Sequence, residues 1–221
     1  MKTLRLIATA LIACLNIVPF SADRLFQVEL TEFPRSRAIL LSKLGPTQFD
    51  CGRVIFKPAF AREYSVSVYS TRSGDRYLAT YIKAEHSLNE LFEPGRDPKE
   101  AQAVKTRRSD CEIPKQTAEK VRKVWIGMLS GNQRPRPMGE EDAARATDAT
   151  VAEFSIQLSH AEILYGETLD ADLLLRERTR MLVDLAKALA DYCKGKPSDR
   201  PAIATKIDQK ATRLLEMLKH R

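Results

Sequence analysis

Few groups of residues in this chain combine the types and the spacing that carry catalysis or bind metals. The histidines are His86, His160 and His220. His160 and Glu162 stand two positions apart, so on a strand both side chains would face the same way. One imidazole and one carboxylate are too few ligands for a closed metal site. The acidic run at 140–142 (Glu-Glu-Asp) lacks the spacing of a calcium loop, so a solvated loop explains it better.

Familiar catalytic motifs are also missing from the sequence. The chain contains no His-Glu-x-x-His zinc helix, no Gly-x-Ser-x-Gly nucleophile elbow, no glycine-rich phosphate loop, no dinucleotide fingerprint and no Cys-x-x-Cys pair. Glu85 and His86 lie together near a predicted sheet edge, where the polarity of a turn accounts for them. We therefore predict no catalytic, cofactor-binding or metal-binding residue, and no cofactor.

Basic residues are frequent in one stretch in the middle of the chain: Lys105, Arg107, Arg108, Lys115, Lys120, Arg122 and Lys123. They would line one surface if the helix predicted at 114–130 packs beside the strand before it. Such a patch could contact an acidic partner protein, lipid headgroups or another anionic surface of the envelope. The simpler interpretation is that these side chains lie on the solvated faces of ordinary elements.

The first 22 residues have the layout of a secretory signal peptide. Lys2 and Arg5 make a short basic start, and residues 6–20 are apolar at all but two positions. This apolar run is shorter than the ~20 residues that a membrane-spanning helix needs. Ala22 is a small residue at which the composition turns polar, as at a cleavage site. We therefore predict a signal peptide over 1–22 and a mature chain over 23–221.

Cys14 offers an alternative to ordinary cleavage. The sequence Leu-Ile-Ala-Cys at 11–14 resembles a bacterial lipoprotein signal, in which the cysteine is lipidated and becomes the new N-terminus. Residues 15–20 stay apolar, however, where a soluble tether usually follows such a cysteine. We favour cleavage near Ala22 and keep lipidation at Cys14 as the second interpretation.

The length and composition indicate one folded domain. With 221 residues, of which 43% are hydrophobic, the chain can bury a sizeable core. Two of its 36 basic residues lie in the signal segment, which leaves 34 against 29 acidic residues, a net charge of +5 in place of +7. Nucleic acid is not an expected partner for an exported chain with so mild an excess of positive charge.

The cysteines of the mature chain are Cys51, Cys111 and Cys193. In an oxidising compartment such residues tend to form disulfides. Cys51 opens one predicted strand and Cys111 follows another, so we predict a bond between them, with Cys193 left as a free thiol. That bond would close a 60-residue separation and contribute ~4 kcal/mol by chain entropy. The pairing of Cys111 with Cys193 stays open, because connectivity cannot be deduced from sequence.

A sheet is the clearest structural prediction. Strands are indicated at 51–57, 63–70, 76–84 and 151–158 by apolar runs or by alternation with a period of two. The short segment 162–165 is a candidate partner for the last of them. Gly74, in the link between the second and third strands, supplies the positive φ that a tight turn needs. Further strands are predicted at 24–32 and 101–108, with a loop at 94–100, while 37–44 fits either a helix or a strand.

Three main helices are predicted. The helix at 114–130 has an apolar stripe that includes Trp125, which we interpret as a core anchor against the sheet. A second helix is predicted at 168–193, with Asp170 and Asp172 in its first turn, where the helix dipole favours acids. A third is capped by Ser198 or Asp199 and pairs with the second in an antiparallel arrangement.

Several short stretches follow one another in a recognisable order. The export signal is followed by DCGR at 50–53, SVSVY at 65–69, WIGML at 125–129, a late strand around Phe154 and DYC at 191–193. In this order residues 45–195 resemble small exported bacterial proteins of unknown function. The resemblance implies a setting in the bacterial envelope or outside the cell, and it implies no activity.

The sequence therefore predicts a single α+β domain over 23–221, in which an antiparallel sheet packs against three main helices and 131–149 forms a mobile surface loop. We expect a periplasmic or secreted protein, without a transmembrane helix after processing, that works as a non-enzymatic binding or interaction module. Its partner would be another envelope protein or an anionic envelope surface. The alternatives are an envelope hydrolase or other enzyme with an unfamiliar site, and a lipoprotein anchored to the membrane through Cys14.

Overall fold

One six-stranded antiparallel sheet organises the molecule. The computed structural model describes residues 34–45, 48–88, 98–130, 150–170 and 177–219. In chain order the elements are α1 (Pro34–Leu44), β1 (Gly52–Lys57), β2 (Tyr64–Ser70), β3 (Tyr77–Ala84), α2 (Pro98–Ala103), β4 (Thr106–Ile113), α3 (Lys115–Leu129), β5 (Thr150–Gln157), β6 (Ile163–Asp170), α4 (Glu177–Lys194) and α5 (Arg200–Lys219). The strand order is β4-β3-β2-β1-β5-β6, with every neighbouring pair antiparallel.

Helices α3, α4 and α5 cover one face of this sheet. Alternation along the strands turns apolar side chains such as Val54, Phe56 and Phe154 toward these helices, where they form the main core. Trp125 of α3 is 1% exposed and packs edge-on against Phe154, with 5.7 Å between ring centroids. Its indole Nε1 donates a hydrogen bond to the carbonyl oxygen of Arg53 at 3.2 Å. The indole thus has both an apolar environment and a polar partner, which a buried Trp requires.

Gly52, at the start of β1, makes room for this indole. Its φ of 131° lies in a region that side chains with a Cβ rarely adopt. A Cβ atom at this position would also lie 2.7 Å from the Trp125 ring. The close approach of α3 to β1 therefore depends on a glycine for two independent reasons.

The opposite face of the sheet is mixed in character. A smaller apolar cluster joins Leu40 and Leu44 of α1 to Ile55 and Ile82 of the sheet. Beside it runs a row of polar side chains that are buried and in register across four strands: Ser155, Arg53, Ser67 and Thr80. The two faces therefore bury their side chains by different means.

Hydrogen bonds and ring contacts hold most of this polar row. Arg53 donates through Nε to Ser155 Oγ at 3.0 Å, and its guanidinium lies 4.0 Å from the centre of the Phe49 ring. Thr80 donates to the Asp110 carboxylate and contacts Tyr69 Oη at 3.2 Å. Ser67 differs, because within the described part of the chain its hydroxyl has no hydrogen-bond partner.

Most of the predicted architecture is confirmed. The chain has the expected α+β fold with an antiparallel sheet and three main helices on it. Strands β1, β2, β3 and β5 and helix α3 lie where the hydrophobic periodicity placed them. Gly74 has the expected positive φ of 73° and closes the β2–β3 turn through its N–H to the carbonyl oxygen of Thr71 at 2.8 Å.

Three local predictions need correction or completion. The strand predicted at 101–108 begins only at Thr106 and continues to Ile113, because 98–103 form the short helix α2 instead of a loop and a strand. Residues 168–170 are the end of β6, paired with 150–152 of β5, so the helix predicted from 168 begins in the described residues at Glu177. The segment 37–44, for which the sequence allowed two interpretations, is helical.

Other predictions lie outside the described residues. These are the signal segment 1–22 with Cys14, the strand at 24–32, the acidic run and loop within 131–149, and Asp172. They stay predictions from the sequence.

Candidate functional site

Positive charge and an exposed aromatic ring come together at one end of the sheet. The β1–β2 loop, the turn after β3 and the start of β4 meet here, because Tyr64, Lys83 and Arg107 are directly opposite one another on β2, β3 and β4. We call the surface formed by Phe60, Arg62, Lys83, Lys105 and Arg107 the basic end. Its members lie on three segments that are far apart in the sequence, and the strand register alone brings them together.

Phe60 is the prominent apolar feature of the basic end. It is 83% exposed, and no other large hydrophobic residue is exposed among those that the structure describes. It stands in the loop Pro-Ala-Phe-Ala-Arg at 58–62. The loop is held at both ends, since Lys57 pairs with Glu153 at 3.4 Å and Glu63 is buried. The loop that carries Phe60 is therefore anchored at both of its ends.

The cations of the basic end are only partly neutralised. Lys83 and Arg107 are cross-strand neighbours, and like charges in that position are destabilising by ~0.2–1 kcal/mol. Glu85 offsets one of them through a contact of 3.2 Å between Arg107 Nε and Glu85 Oε1. Arg62, Lys83 and Lys105 are exposed and make no ion pair in the described regions.

A buried carboxylate holds the turn at 85–88 in place. Glu63 is fully buried, and its oxygens accept hydrogen bonds from the Leu88 N–H at 2.7 Å and from Ser87 Oγ at 3.3 Å. The Ala84 N–H also donates to the Glu63 carbonyl at 3.0 Å. A buried charge needs such partners, so the turn and the loop that carries Phe60 are fixed to each other.

A cleft of about 550 Å³ opens beside this turn. The side chains around it carry both signs of charge over an apolar floor, and they belong to Glu85, His86, Ser87, Glu100, Ala103, Val104 and Lys105. His86, which the sequence indicated only as a turn residue, is exposed at this cleft. The cleft therefore adds a concave surface to the basic end.

The seven basic residues predicted as one patch are not brought together. Lys105 and Arg107 belong to the basic end, but Arg108 turns to the other face of the sheet, as consecutive strand residues must. There its Nε contacts Asp110 Oδ2 at 2.9 Å. The predicted patch is therefore split between Arg107 and Arg108, which point to opposite faces of the sheet.

The remaining four members of that patch lie on α3. Lys115 approaches Glu119 at 3.9 Å, and Lys120 reaches Asp208 of α5 at 3.6 Å. Arg122 donates to the carbonyl oxygen of Asp50 at 3.2 Å, which fixes this helix at the opposite end of β1 from Phe60. Lys123 is exposed on the same helix. A helix and a strand that follow one another in sequence thus point their cations in different directions.

Arg108 takes part in a closed set of hydrogen bonds on the second face. Its NH2 group donates to Tyr69 Oη at 3.5 Å, and Tyr69 in turn contacts Thr80, which donates to Asp110. Arg108 completes the ring through the same carboxylate. The hydroxyl groups of Tyr69 and Thr80 each have partners on both sides, so these four side chains are suited to fixing the edge strand β4 to its neighbours.

The other candidate ligands remain apart. His160 and Glu162 lie in the β5–β6 turn and not on a strand, since the Leu158 and Ser159 N–H groups both bond to the Glu162 carbonyl. Within the described residues no group of three or more His, Cys, Asp or Glu side chains could hold a metal ion. His220 and the acidic run at 140–142 lie outside them.

The cysteines are placed differently from the preferred prediction. Strands β2 and β3 separate Cys51 from Cys111, a distance of roughly 14 Å for three strand spacings of ~4.8 Å. Disulfides need Cα atoms within ~7 Å, so the predicted Cys51–Cys111 bond does not fit this fold. Cys111 instead lies against Cys193, with 3.3 Å between the sulfur atoms, and all three thiols are unbonded. Burial raises the pKa of Cys51 to about 12, helped by the Asp50 carboxylate beside it.

Sequence reasoning missed three members of the basic end: Phe60, Arg62 and Lys83. One signal was present, because a large aromatic residue stood between two predicted strands in a segment too short to fold back on itself. The pairing of Lys83 with Arg107 had no such signal. It depends on the register of β3 against β4, which follows from the way the whole sheet packs.

Comparison with known proteins identified no relative of this chain. No protein-family model, no curated protein and no solved structure matches the chain. The described helices include none that is both long and apolar enough to cross a bilayer.

Proposed function

We propose that this protein is an exported bacterial binding protein and that the basic end is its contact surface for anionic lipid headgroups of the envelope. The observation that carries the proposal is Phe60, which is 83% exposed at the end of the sheet that also carries the exposed cations Arg62, Lys83 and Lys105. Among the described residues these three cations make no ion pair. An aromatic ring enters the boundary between headgroups and acyl chains, while cations meet the phosphates. Juxtamembrane cations contribute ~1 kcal/mol each at an anionic surface.

The chemistry of the surface favours a lipid over a protein partner. Stable protein interfaces bury ~1,200–2,000 Å² around an apolar centre. The basic end offers one aromatic side chain among cations, which suits a surface of dispersed negative charge better than a shaped apolar pocket. Weak, reversible and salt-sensitive attachment is the expected result, since exposed charges are screened over ~8–10 Å at ordinary ionic strength.

The export half of the proposal rests on residues 1–22. A basic start, an apolar run and Ala22 before a polar stretch are together typical of a cleaved signal. If Cys14 is lipidated instead, the basic end would be the second of the two signals that stable membrane attachment requires. Intact-mass measurement after expression in a bacterial host tests this half: loss of 1–22 supports it, a lipid mass on Cys14 selects the anchored form, and a retained Met1 in the processed fraction contradicts it.

Binding to vesicles tests the contact surface. The exported protein should sediment with vesicles that contain phosphatidylglycerol and remain in solution with purely zwitterionic vesicles. Phe60→Ser should weaken binding by ~1–2 kcal/mol, because part of the ring no longer leaves water. Arg62→Gln and Lys83→Gln should each weaken it roughly fivefold. Lys123→Gln is the matched control, since it removes an exposed cation on α3 and should leave binding unchanged.

Three outcomes would contradict this function. Equal binding to zwitterionic and anionic vesicles would remove the role of the cations. Equal effects of Lys123→Gln and Lys83→Gln would show that only the net charge matters. Retention of an acidic protein by the basic end, with no vesicle binding, would move the proposal to a protein partner.

The second candidate, an envelope enzyme, has one observation in its favour. The cleft of about 550 Å³ places His86 at the same opening as Glu85 and Glu100, which are groups that general acid–base chemistry uses. Hydrolysis of ester or phosphoester model substrates by the exported protein, lost in His86→Ala and kept in His160→Ala, would support this candidate. Vesicle binding that survives His86→Ala would support the binding protein.

A further inference from the structure

Two cysteines that are distant in sequence meet in the core. Cys111 is on the edge strand β4, and Cys193 is the penultimate residue of α4, 82 residues later. Their sulfur atoms are 3.3 Å apart, and the side chains are 5% and 1% exposed. The third cysteine in the described part of the chain, Cys51, lies on the far side of β2 and β3.

Hydrogen bonds on either side hold these thiols together. Ser109 Oγ donates to the carbonyl oxygen of Cys193 itself at 3.0 Å. The neighbouring Tyr192 hydroxyl donates to the Glu112 carbonyl oxygen at 2.8 Å. Both bonds join the last turn of α4 to β4, one before and one after Cys111 in the strand. The approach of the sulfurs is therefore a property of the docked helix and not of one flexible side chain.

We propose that Cys111 and Cys193 form a disulfide when the protein folds in an oxidising environment, and that this bond ties the end of α4 to the edge of the sheet. Cys51 stays a free thiol. The proposed bond does not depend on the proposed lipid contact, because no residue of the basic end takes part in the contacts that hold Cys111 against Cys193. It reverses the pairing that sequence reasoning preferred.

The electrostatics of the pair select the attacking sulfur. Either thiol can donate to the other while both are neutral. Once Cys111 ionises, the Cys193 S–H donates to its thiolate, which lowers the pKa of Cys111 and raises the pKa of Cys193. The cation of Arg200 favours the thiolate of both. Cys111 is therefore the sulfur that attacks, because the thiolate is the nucleophile.

The reaction balances with an external disulfide such as oxidised glutathione. The Cys111 thiolate attacks one glutathione sulfur, forms a mixed disulfide and releases the first glutathione thiolate. Cys193 loses its proton, attacks the Cys111 sulfur and releases the second. Two protein thiols are oxidised, one glutathione disulfide is reduced, and the two protons pass to the glutathione thiolates. Because both cysteines are buried, the oxidant reaches them in one of two ways. Before α4 docks, either sulfur can attack first and the same bond forms. In a local opening that keeps the two sulfurs in contact, Cys111 attacks first.

Refolding in a redox buffer tests the bond directly. The reduced and unfolded full chain is refolded in a mixture of reduced and oxidised glutathione, alkylated and digested without reductant. We expect one cross-linked peptide that joins Cys111 to Cys193, with Cys51 alkylated only after denaturation. A bridge that contains Cys14 or Cys51, or no bridge at all after refolding, would overturn the proposal.

Thermal melting supplies a second readout. A bond that closes a loop of this length should raise the melting temperature by on the order of 10 °C, so reductant should lower it by that amount. Cys111→Ala and Cys193→Ala should each abolish the effect of reductant, while Cys51→Ala should retain it. A reductant effect that persists in Cys193→Ala would contradict the assigned pairing, and the peptide map decides the matter if a variant fails to fold.

Discussion

The two faces of the sheet are built from the same strands but by different chemistry. On the face toward α3, α4 and α5, Val54, Phe56 and Phe154 pack into a continuous apolar core. On the other face, Arg53 and Ser155 alternate with those same residues and are equally buried, yet they are held by hydrogen bonds. One face therefore gains stability from removing apolar area from water, and the other from satisfying the polar groups that it buries.

This difference predicts which substitutions the two faces of the sheet tolerate. An apolar core loses both transfer energy and packing when a side chain is cut back. In the polar row, removing a hydroxyl that makes no hydrogen bond costs little stability. Removing one partner of a hydrogen bond costs more, because the other partner stays buried without a bond. The predicted losses of stability should therefore be large and general on the helix face, and small and selective on the polar face.

The largest effect is expected from Trp125→Ala. The change removes a buried indole from between α3 and β1 and leaves the Arg53 carbonyl without its donor. Truncation of a core Trp costs ~3–5 kcal/mol, a large share of a total stability of ~5–15 kcal/mol. Urea denaturation should show this loss, with Lys123→Ala as the control at an exposed position of the same helix. A variant that unfolds at the parent's urea concentration would mean that the indole does not anchor the core.

Gly52→Ala should be the next most damaging change. It adds only one methyl group, but at a φ of 131° and 2.7 Å from the Trp125 ring. Such backbone strain and overpacking each cost ~1–3 kcal/mol. Gly74→Ala is the control, because Gly74 also has a positive φ but nothing within 4 Å of its Cβ position. Equal losses in the two variants would show that the backbone angle matters and the contact with Trp125 does not.

A pH-dependent effect should arise from Cys51, which belongs to the helix-covered face. Burial raises its pKa in the folded protein from 9.0 to about 12. Between these values the unfolded chain loses the thiol proton and the folded chain keeps it, so stability falls as the pH rises. The slope is at most roughly 1.4 kcal/mol per pH unit. Denaturation at pH 8 and pH 10 should show a smaller decline in Cys51→Ala than in the parent, and identical declines would refute the assignment.

The smallest effects on stability are expected from the hydroxyl groups of Thr80 and Ser67, which are neighbours on the polar face and should respond differently to removal. Thr80→Val should cost ~1 kcal/mol, because Tyr69 and Asp110 both lose a partner. Ser67→Ala, one strand away and in register with Thr80, should cost nothing or stabilise slightly, since its hydroxyl has no partner in the described residues. Thermal melts of the two variants under the same conditions provide the measurement. A greater loss in Ser67→Ala than in Thr80→Val would reverse the account of this face.

Local predictions failed where pairing partners overrode local sequence. Residues 168–170 resemble the start of a helix because Asp170 and Asp172 suit a first turn, but β5 supplies partners that continue β6 through them. Likewise, 101–103 are helical although a strand was predicted there, and the strand starts where β3 provides a partner at Ala84. Strand ends depend on the neighbouring strand, which a local pattern does not reveal.

Hydrophobic patterns in the sequence are sufficient to predict the fold class, the positions of β1, β2, β3, β5 and α3, and the burial of Trp125. These follow from periodicity, because a side chain's direction repeats every two residues in a strand and every 3.6 in a helix. Those patterns do not predict which cysteines meet or which cations share a surface. Strand order separates Cys51 from Cys111 and brings Cys111 to α4, and strand register sets Lys83 opposite Arg107. Both depend on contacts between residues far apart in the chain, which are selected by the packing of the whole sheet against its helices.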